Sequence, residues 1–289
     1  MRTSSTVLAL VFAATLAGCE GGVLDPKGPI AFQERQLLFD ATGIMLAIVI
    51  PVVLATLWVA FWFRASNERA TYLPTFRYSG RIELLIWSIP LMTVLLVGSV
   101  AWISAYELDP PRLIGRARTP LKIQAVSLDW KWLFIYPDEG VASVNELMIP
   151  VGAPVSFELT SSGVMNSFFV PQLAGQIYTM AGMVTRLNMQ ADFAGTYRGI
   201  SANFSGDGFA DMHFNVKAVD KDTYSQWVDV ARGSGSKLDT RAYAELITPS
   251  KAVVPFTYRS IAPGLFTSIL SAASESVGGL CVTTMRAER

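Results

Sequence analysis

Two stretches, Ala41–Phe63 and Leu84–Tyr106, contain no Asp, Glu, Lys or Arg. Nothing else in the sequence constrains the fold as strongly. A helix needs about 20 apolar residues to cross the hydrocarbon core of a bilayer, and each stretch meets that length. Pro51 and Pro90 lie inside them, which spanning helices tolerate because neighbouring groups re-satisfy the freed backbone. Trp58, Trp62, Trp87, Trp102 and Tyr106 add aromatic side chains, some of them toward the interfaces. The composition agrees: 51% of residues are hydrophobic and only 16% charged, against roughly 25% charged in soluble domains.

The remaining composition excludes several classes. The chain has 23 basic and 23 acidic residues and no basic stripe, so nucleic acid is not an expected partner. Two cysteines, Cys19 and Cys281, make neither a disulfide framework nor a zinc ribbon. A single histidine, His213, excludes a haem or multi-histidine site within this chain. A third apolar run, Thr6–Leu16, follows Arg2 and leads into small residues, which is the pattern of a signal peptide over residues 1–18. Its end, Leu16-Ala17-Gly18-Cys19, resembles the lipobox of bacterial lipoproteins. The resemblance implies cleavage before Cys19 and lipidation of that residue, leaving 19–40 as an exported, lipid-anchored segment. The alternative is an uncleaved signal anchor with an incidental cysteine.

Arg64, Arg69, Arg77 and Arg81 make the loop 64–83 between the spans the cytoplasmic one. Arg112, Arg116, Arg118 and Lys122 after the second span dilute that asymmetry, so the export signal decides the orientation. If residue 19 is exported, the hairpin 41–106 returns the chain to the same side. Everything after Tyr106 is then expected in the periplasm, with the chain a multi-pass protein of a bacterial inner membrane.

From Leu121 the pattern changes to period-two alternation. Strands are expected at Leu121–Ser127, Trp130–Tyr136, Glu146–Ile149, Val155–Thr160, Ser167–Val170, Val184–Ala191, Gly195–Ser201 and Met212–Val219, with turns at 137–140 and 150–152. Many short strands separated by turns predict a β-sandwich over 112–220. Asp222 is expected to cap a helix ending near Arg232 and Asp239 a second, within a helical, aromatic-rich extension over 221–270. The small polar residues of 271–289 predict a disordered tail.

Three segments carry a family resemblance. Asp129-Trp130-Lys131-Trp132-Leu133-Phe134-Ile135-Tyr136-Pro137 resembles the tryptophan-rich segment of subunit II of the haem–copper terminal oxidases. Val164–Pro171 and Gly195–Met212 resemble that family's two metal-ligand segments. Several motifs in register discriminate far better than one. The fold this implies is an exported all-β, cupredoxin-like Greek-key sandwich behind a membrane α-helical hairpin. In cytochrome c-oxidising members the sandwich holds two copper ions through two cysteines, two histidines and a methionine. At those positions this chain has Asn166, Ser201, Ser205, Phe209 and Met212, with Asn203 at a backbone-ligand position. A serine hydroxyl does not ionise near neutrality to bridge copper as a thiolate does. A phenylalanine cannot coordinate at all. The expectation is no metal, no cofactor and no catalytic centre in this chain.

That loss resembles subunit II of the bo-type ubiquinol oxidases, whose quinol reduces haem in subunit I directly. The stretch from Tyr243 to Phe266 looks like their aromatic-rich tail. The resemblance implies a non-redox subunit of a proton-pumping complex that oxidises ubiquinol and reduces oxygen to water in the respiratory chain. Two haems and one copper are expected in subunit I. Further small membrane subunits and membrane lipid are expected partners, and cytochrome c is not. Trp130 and Trp132 are read as structural. Glu83 opens a segment that in the family lies at a cytoplasmic proton intake, which makes it a candidate for that role; an interfacial carboxylate paired with Arg81 is the alternative. The rival assignments are an electron-accepting cytochrome c oxidase subunit, against which the ligand positions argue, and a membrane-anchored cupredoxin-like binding or assembly protein.

Overall fold

The computed structural model describes residues 22–71, 73–115 and 119–274. The signal segment, Cys19, Arg116, Arg118 and Cys281 lie outside the described residues. The chain divides into two compact units, Glu34–Asp109 and the remainder.

The first unit is a helical hairpin. α1 spans Pro29–Trp62 and α2 spans Gly80–Glu107. At 1.5 Å per residue they are about 50 and 40 Å long, enough to cross a bilayer core of about 30 Å. Both contain a central apolar window with no side chain buried inside the protein, as lipid- or partner-facing helices require. α1 begins twelve residues before the expected span, so residues 29–40 of the segment ahead of that span are helical. Pro29 explains the start: its fixed φ and missing N–H suit the first helical position. Trp58 stacks on Trp62, and Trp102 meets Tyr106 edge-on.

The second unit is a sandwich. One sheet has the order β12-β3-β2-β1-β5-β8, the other β4-β10-β9-β6-β7. Their strands are β1 Leu121–Leu128, β2 Lys131–Tyr136, β3 Val141–Val144, β4 Glu146–Pro150, β5 Val155–Ser161, β6 Asn166–Val170, β7 Ala174–Thr179, β8 Thr185–Met189, β9 Gly195–Ser201, β10 His213–Val219 and β12 Phe256–Tyr258. A short third pairing joins β11 Lys237–Leu238 to β13 Ser260–Ile261. β1 and β5 run parallel, as do β4 and β10. This mixture is what a Greek-key path through two sheets produces.

Every residue of β2 is buried. Trp132, Phe134 and Tyr136 enter the core between the sheets. Leu133 and Ile135 point the other way, into a second cluster with Val126, Leu128, Ala142 and Val144. Leu238, Leu246, Tyr258, Leu265, Phe266 and Ile269 of the C-terminal extension cover that outer face. The extension is therefore a third layer. That layer holds α4 Thr240–Leu246 and α5 Leu265–Ser274, whereas α3 Lys221–Gly233, at the start of the extension, packs Tyr224, Val228 and Ala231 into the cluster that includes the inter-sheet core. α3 is capped by Asp220, which accepts from Thr223 N at 2.9 Å, so Asp222 sits in the first turn and is not the cap. Asp239 caps α4 as expected, accepting from Arg241 and Ala242 amides. α5 carries the chain as a helix to Ser274 with Ala273 buried, so 271–274 do not belong to a disordered tail.

Both segments flanking the hairpin are stitched to the sandwich. Lys27 N donates to Gln172 O at 2.7 Å, and Asp192 N donates to Lys27 O at 2.8 Å. Gly28 fits so closely that a Cβ there would lie 2.1 Å from the Gln190 carbonyl. On the other side, the Asn188 amide Nδ2 donates to Pro111 O at 2.8 Å and Arg112 O at 3.2 Å. The chain thus leaves and re-enters the same domain, with two span-length helices between.

Candidate functional site

The ligand positions converge at one end of the sandwich. Asn166 opens β6, Ser201 closes β9, and Phe209–Asp211 form a 3-10 turn leading into Met212 and β10. Strand pairing sets the meeting: β6 lies beside β9, with Phe168 opposite Ser201, and β9 lies beside β10. The Ser201 hydroxyl donates to Asn166 Oδ1 at 3.2 Å, and the Ser201 amide donates to Met212 O at 3.2 Å. Asn166 Nδ2 turns back to Val164 O at 3.1 Å. Asn203 Nδ2 donates to Met165 O at 3.0 Å. Ser205 Oγ lies 3.8 Å from Met212 Sδ. Phe209 meets exposed Phe204 edge-on, with ring centroids 5.5 Å apart.

A copper site at this pole fails the test of donor chemistry. The assembled side chains offer two hydroxyls, two carboxamides, a phenyl ring and one thioether. Copper of either common valence is held by thiolates and imidazoles. Of the set only Met212 suits it, and a lone thioether is a weak axial ligand. The polar groups satisfy one another and the nearby backbone instead, as buried polar groups must.

Trp130 and Trp132 have different surroundings. Trp132 is fully buried, with its ring 5.4 Å from Phe168 and 5.6 Å from Phe214. Its Nε1–H has no partner among the described residues. Trp130 is not part of β2, contrary to the strand expected from 130. It sits in the β1–β2 turn at φ +63°, where pairing is interrupted. Its indole N–H donates to Ser205 O at 3.0 Å and its ring lies against Gly206 and Gly208. Lys251 Nζ lies over the ring, 5.5 Å from its centroid. The tryptophan thus braces the second ligand loop.

Lys131 next to it was not singled out by sequence. It is buried, and its ammonium donates to Thr248 O at 2.8 Å and to Ser250 Oγ at 2.5 Å. Burial lowers its pKa, against the pull of Asp129. Asn145 Nδ2 holds Val253 O at 2.9 Å. Together these two side chains pin the extension across the β2 end of the sheet. Glu83 belongs to the other unit, exposed in the first turn of α2. It makes no ion pair with Arg81 among the described residues.

Fold and ligand loops together define a class: a membrane-anchored, cupredoxin-like oxidase subunit II whose metal pole lacks the metal's ligands. The family model described as cytochrome c oxidase subunit II, periplasmic domain, matches residues 140–219. The one described as the COX aromatic-rich motif matches 232–272, the third layer. Cytochrome bo(3) ubiquinol oxidase subunit 2 of Pseudomonas aeruginosa is 45% identical over 264 residues, 91% of this chain and 80% of the relative. Ubiquinol oxidase subunit 2 of Acetobacter aceti is 44% identical over 261 residues, covering 90% and 85%. Quinol oxidase subunit 2 of Bacillus subtilis is 37% identical over 246 residues, covering 84% and 76%. The chain belongs to the quinol oxidase subunit 2 family.

Proposed function

We propose that this chain is the non-redox subunit of a proton-pumping ubiquinol oxidase of the bacterial inner membrane, and that its exported sandwich caps a haem-bearing subunit I from the periplasm. The observation that carries this reading is the ligand pole. Asn166, Ser201, Ser205 and Phe209 stand where a copper relay needs two imidazoles and two thiolates, and they are tied into hydrogen bonds and ring contacts of their own. A subunit built this way receives no electron from a soluble donor. Electrons from a membrane quinol then have to enter the complex through its partner. Trp130 and Trp132 act in this reading as packing residues.

The same reading includes export by a cleaved signal over residues 1–18 and acylation of Cys19. Acyl chains would add membrane affinity at about 0.8 kcal/mol per buried methylene. Glu83, exposed in the first turn of a spanning helix, is the residue proposed to gather protons at the cytoplasmic mouth of a path in subunit I.

The test is purification of the complex through a tag on this chain. The expected preparation contains a haem-bearing subunit, copper equal to that subunit's single ion, and ubiquinol-dependent oxygen consumption. Reduced cytochrome c should give no turnover. Copper held by this chain, or rapid oxidation of cytochrome c, would overturn the assignment.

A further inference from the structure

The turn between the two helices carries an excess of positive charge. Arg64, Arg69, Arg77 and Arg81 face Glu68 and Glu83 as the only acidic residues between Trp62 and Leu84. All six are exposed. None of the four arginines makes an ion pair among the described residues. Arg64 lies with its guanidinium carbon 4.2 Å from the Phe61 ring centroid and donates to Ser66 Oγ at 3.0 Å. Leu73, Phe76 and Tyr78 stand between the arginines, 62%, 61% and 70% exposed. Tight turns hold the backbone: Asn67 Nδ2 donates to Trp62 O and Phe76 N donates to Leu73 O.

Water solvates arginines but does not favour three large apolar side chains among them. A bilayer surface accommodates both. Aromatic and aliphatic side chains reach the acyl boundary while the guanidinium groups extend to the phosphates. Both span-length helices end at this turn, so its residues lie within reach of the headgroups. Guanidinium groups bind phosphate oxygens in paired hydrogen bonds, and clustered basic residues beside spanning helices favour anionic lipid. We propose that this turn is a binding surface for anionic phospholipid headgroups, with Arg64, Arg69, Arg77 and Arg81 as the phosphate contacts. The inference rests on the hairpin crossing the membrane and is independent of the reading of the exported pole.

The test uses the purified oxidase complex containing this chain, in nanodiscs of phosphatidylcholine with a fixed fraction of phosphatidylglycerol. Lipids retained after partial delipidation are counted by native mass spectrometry. The wild type should retain phosphatidylglycerol selectively, and the preference should weaken as salt is raised. R64Q/R69Q/R77Q/R81Q together should lower the preference about tenfold or more. The matching Arg→Lys variant should keep most of it. Equal selectivity in the wild type and the glutamine variant would overturn the proposal. So would a glutamine variant that sheds the haem-bearing subunit yet keeps its anionic lipid, since the arginines would then face an acidic protein surface. If the glutamine variant does not assemble, a salt-insensitive preference in the wild type would be equally fatal.

Discussion

The Ser201 hydroxyl donates to Asn166 Oδ1 at 3.2 Å, joining two strands that each present a ligand position at the same pole. A satisfied hydrogen bond there leaves no vacant donor pair for a metal. The exported domain is therefore expected to fold without copper. Restoring a two-copper centre should need Asn166→His, Ser201→Cys, Ser205→Cys and Phe209→His together, because each ligand sets part of the geometry. Copper analysis and visible absorption of the purified domain check this. Stoichiometric, tightly held copper in the unmodified domain would refute it.

Trp132 is fully buried between Phe168 and Phe214. Trp132→Ala should cost about 3–5 kcal/mol, the usual range for emptying a core site of this size. If the residue only packs, the amount of assembled oxidase should fall while turnover per assembled haem stays near normal. Slowed haem reduction by quinol in a fully assembled variant would contradict the structural reading.

Gly208 and Trp130 form a coupled pair. A Cβ on Gly208 would lie 2.3 Å from the indole ring, and the ring is held in turn by its bond to Ser205 O. Gly208→Ala alone should destabilise the domain by about 1–3 kcal/mol through overpacking. In a Trp130→Ala background the same change should cost far less. Denaturant unfolding of the four proteins of this cycle measures the coupling. Additive effects would mean that the added Cβ does not press on the ring.

These relationships differ in how far the sequence reveals them. Period-two alternation locates β1, β5, β9 and β10 to within a residue or two. It misses β3, because all four residues of Val141–Val144 are buried and nothing alternates. The cause is the third layer: with apolar cover on both faces, a strand loses its polar side. β7 is missed for the opposite reason, as a sheet-edge strand with Gly175 and exposed Gln176 and Tyr178. The ligand pole is legible only through motif resemblance. Asn166, Ser201 and Ser205 are ordinary strand and loop residues until their alignment gives them meaning. Lys131 had no local signal at all, since its partner Thr248 lies 117 residues away.

The Lys131 clamp makes its own prediction. Lys131→Met should keep the sandwich but release 248–253, seen as faster amide exchange confined to that segment. The pH dependence has a definite sign. Burial puts the native pKa below the ordinary lysine value, so between the two the unfolded chain binds more protons and stability rises with pH. The stability difference, wild type minus Lys131→Met, should therefore climb as pH approaches the ordinary lysine value of about 10.4 from below. Buried Tyr136 and Tyr224, whose pKa values are pushed upward, begin to oppose folding from the ordinary tyrosine value of about 10, inside the same window, but they do so in both proteins alike and cancel in the difference. A flat difference would show that burial does not lower the Lys131 pKa in the folded protein.

Glu83 offers the sharpest separation of a functional from a structural role. It lies in the first turn of α2 and is exposed, with no ion pair to Arg81 among the described residues. A carboxylate there also complements the positive end of the helix dipole, worth typically 0.3–1 kcal/mol at exposed sites. If that were its whole purpose, Glu83→Ala would lower the yield of assembled oxidase and leave turnover per haem unchanged. As a proton collector it should do the reverse: normal assembly, slower oxygen reduction, and a deficit that deepens as pH rises and protons become scarce. Glu83→Asp should recover part of the rate, because the ionisable group survives on a shorter stem. Glu83→Gln should not, because it keeps the shape and loses the proton. In the proposed reading quinol gives up its protons on the opposite side, so reduction of the first haem should be unaffected in all three. Full turnover of Glu83→Ala across the pH range would end the proton-intake role. The hairpin and the family assignment would stand, because they rest on other residues.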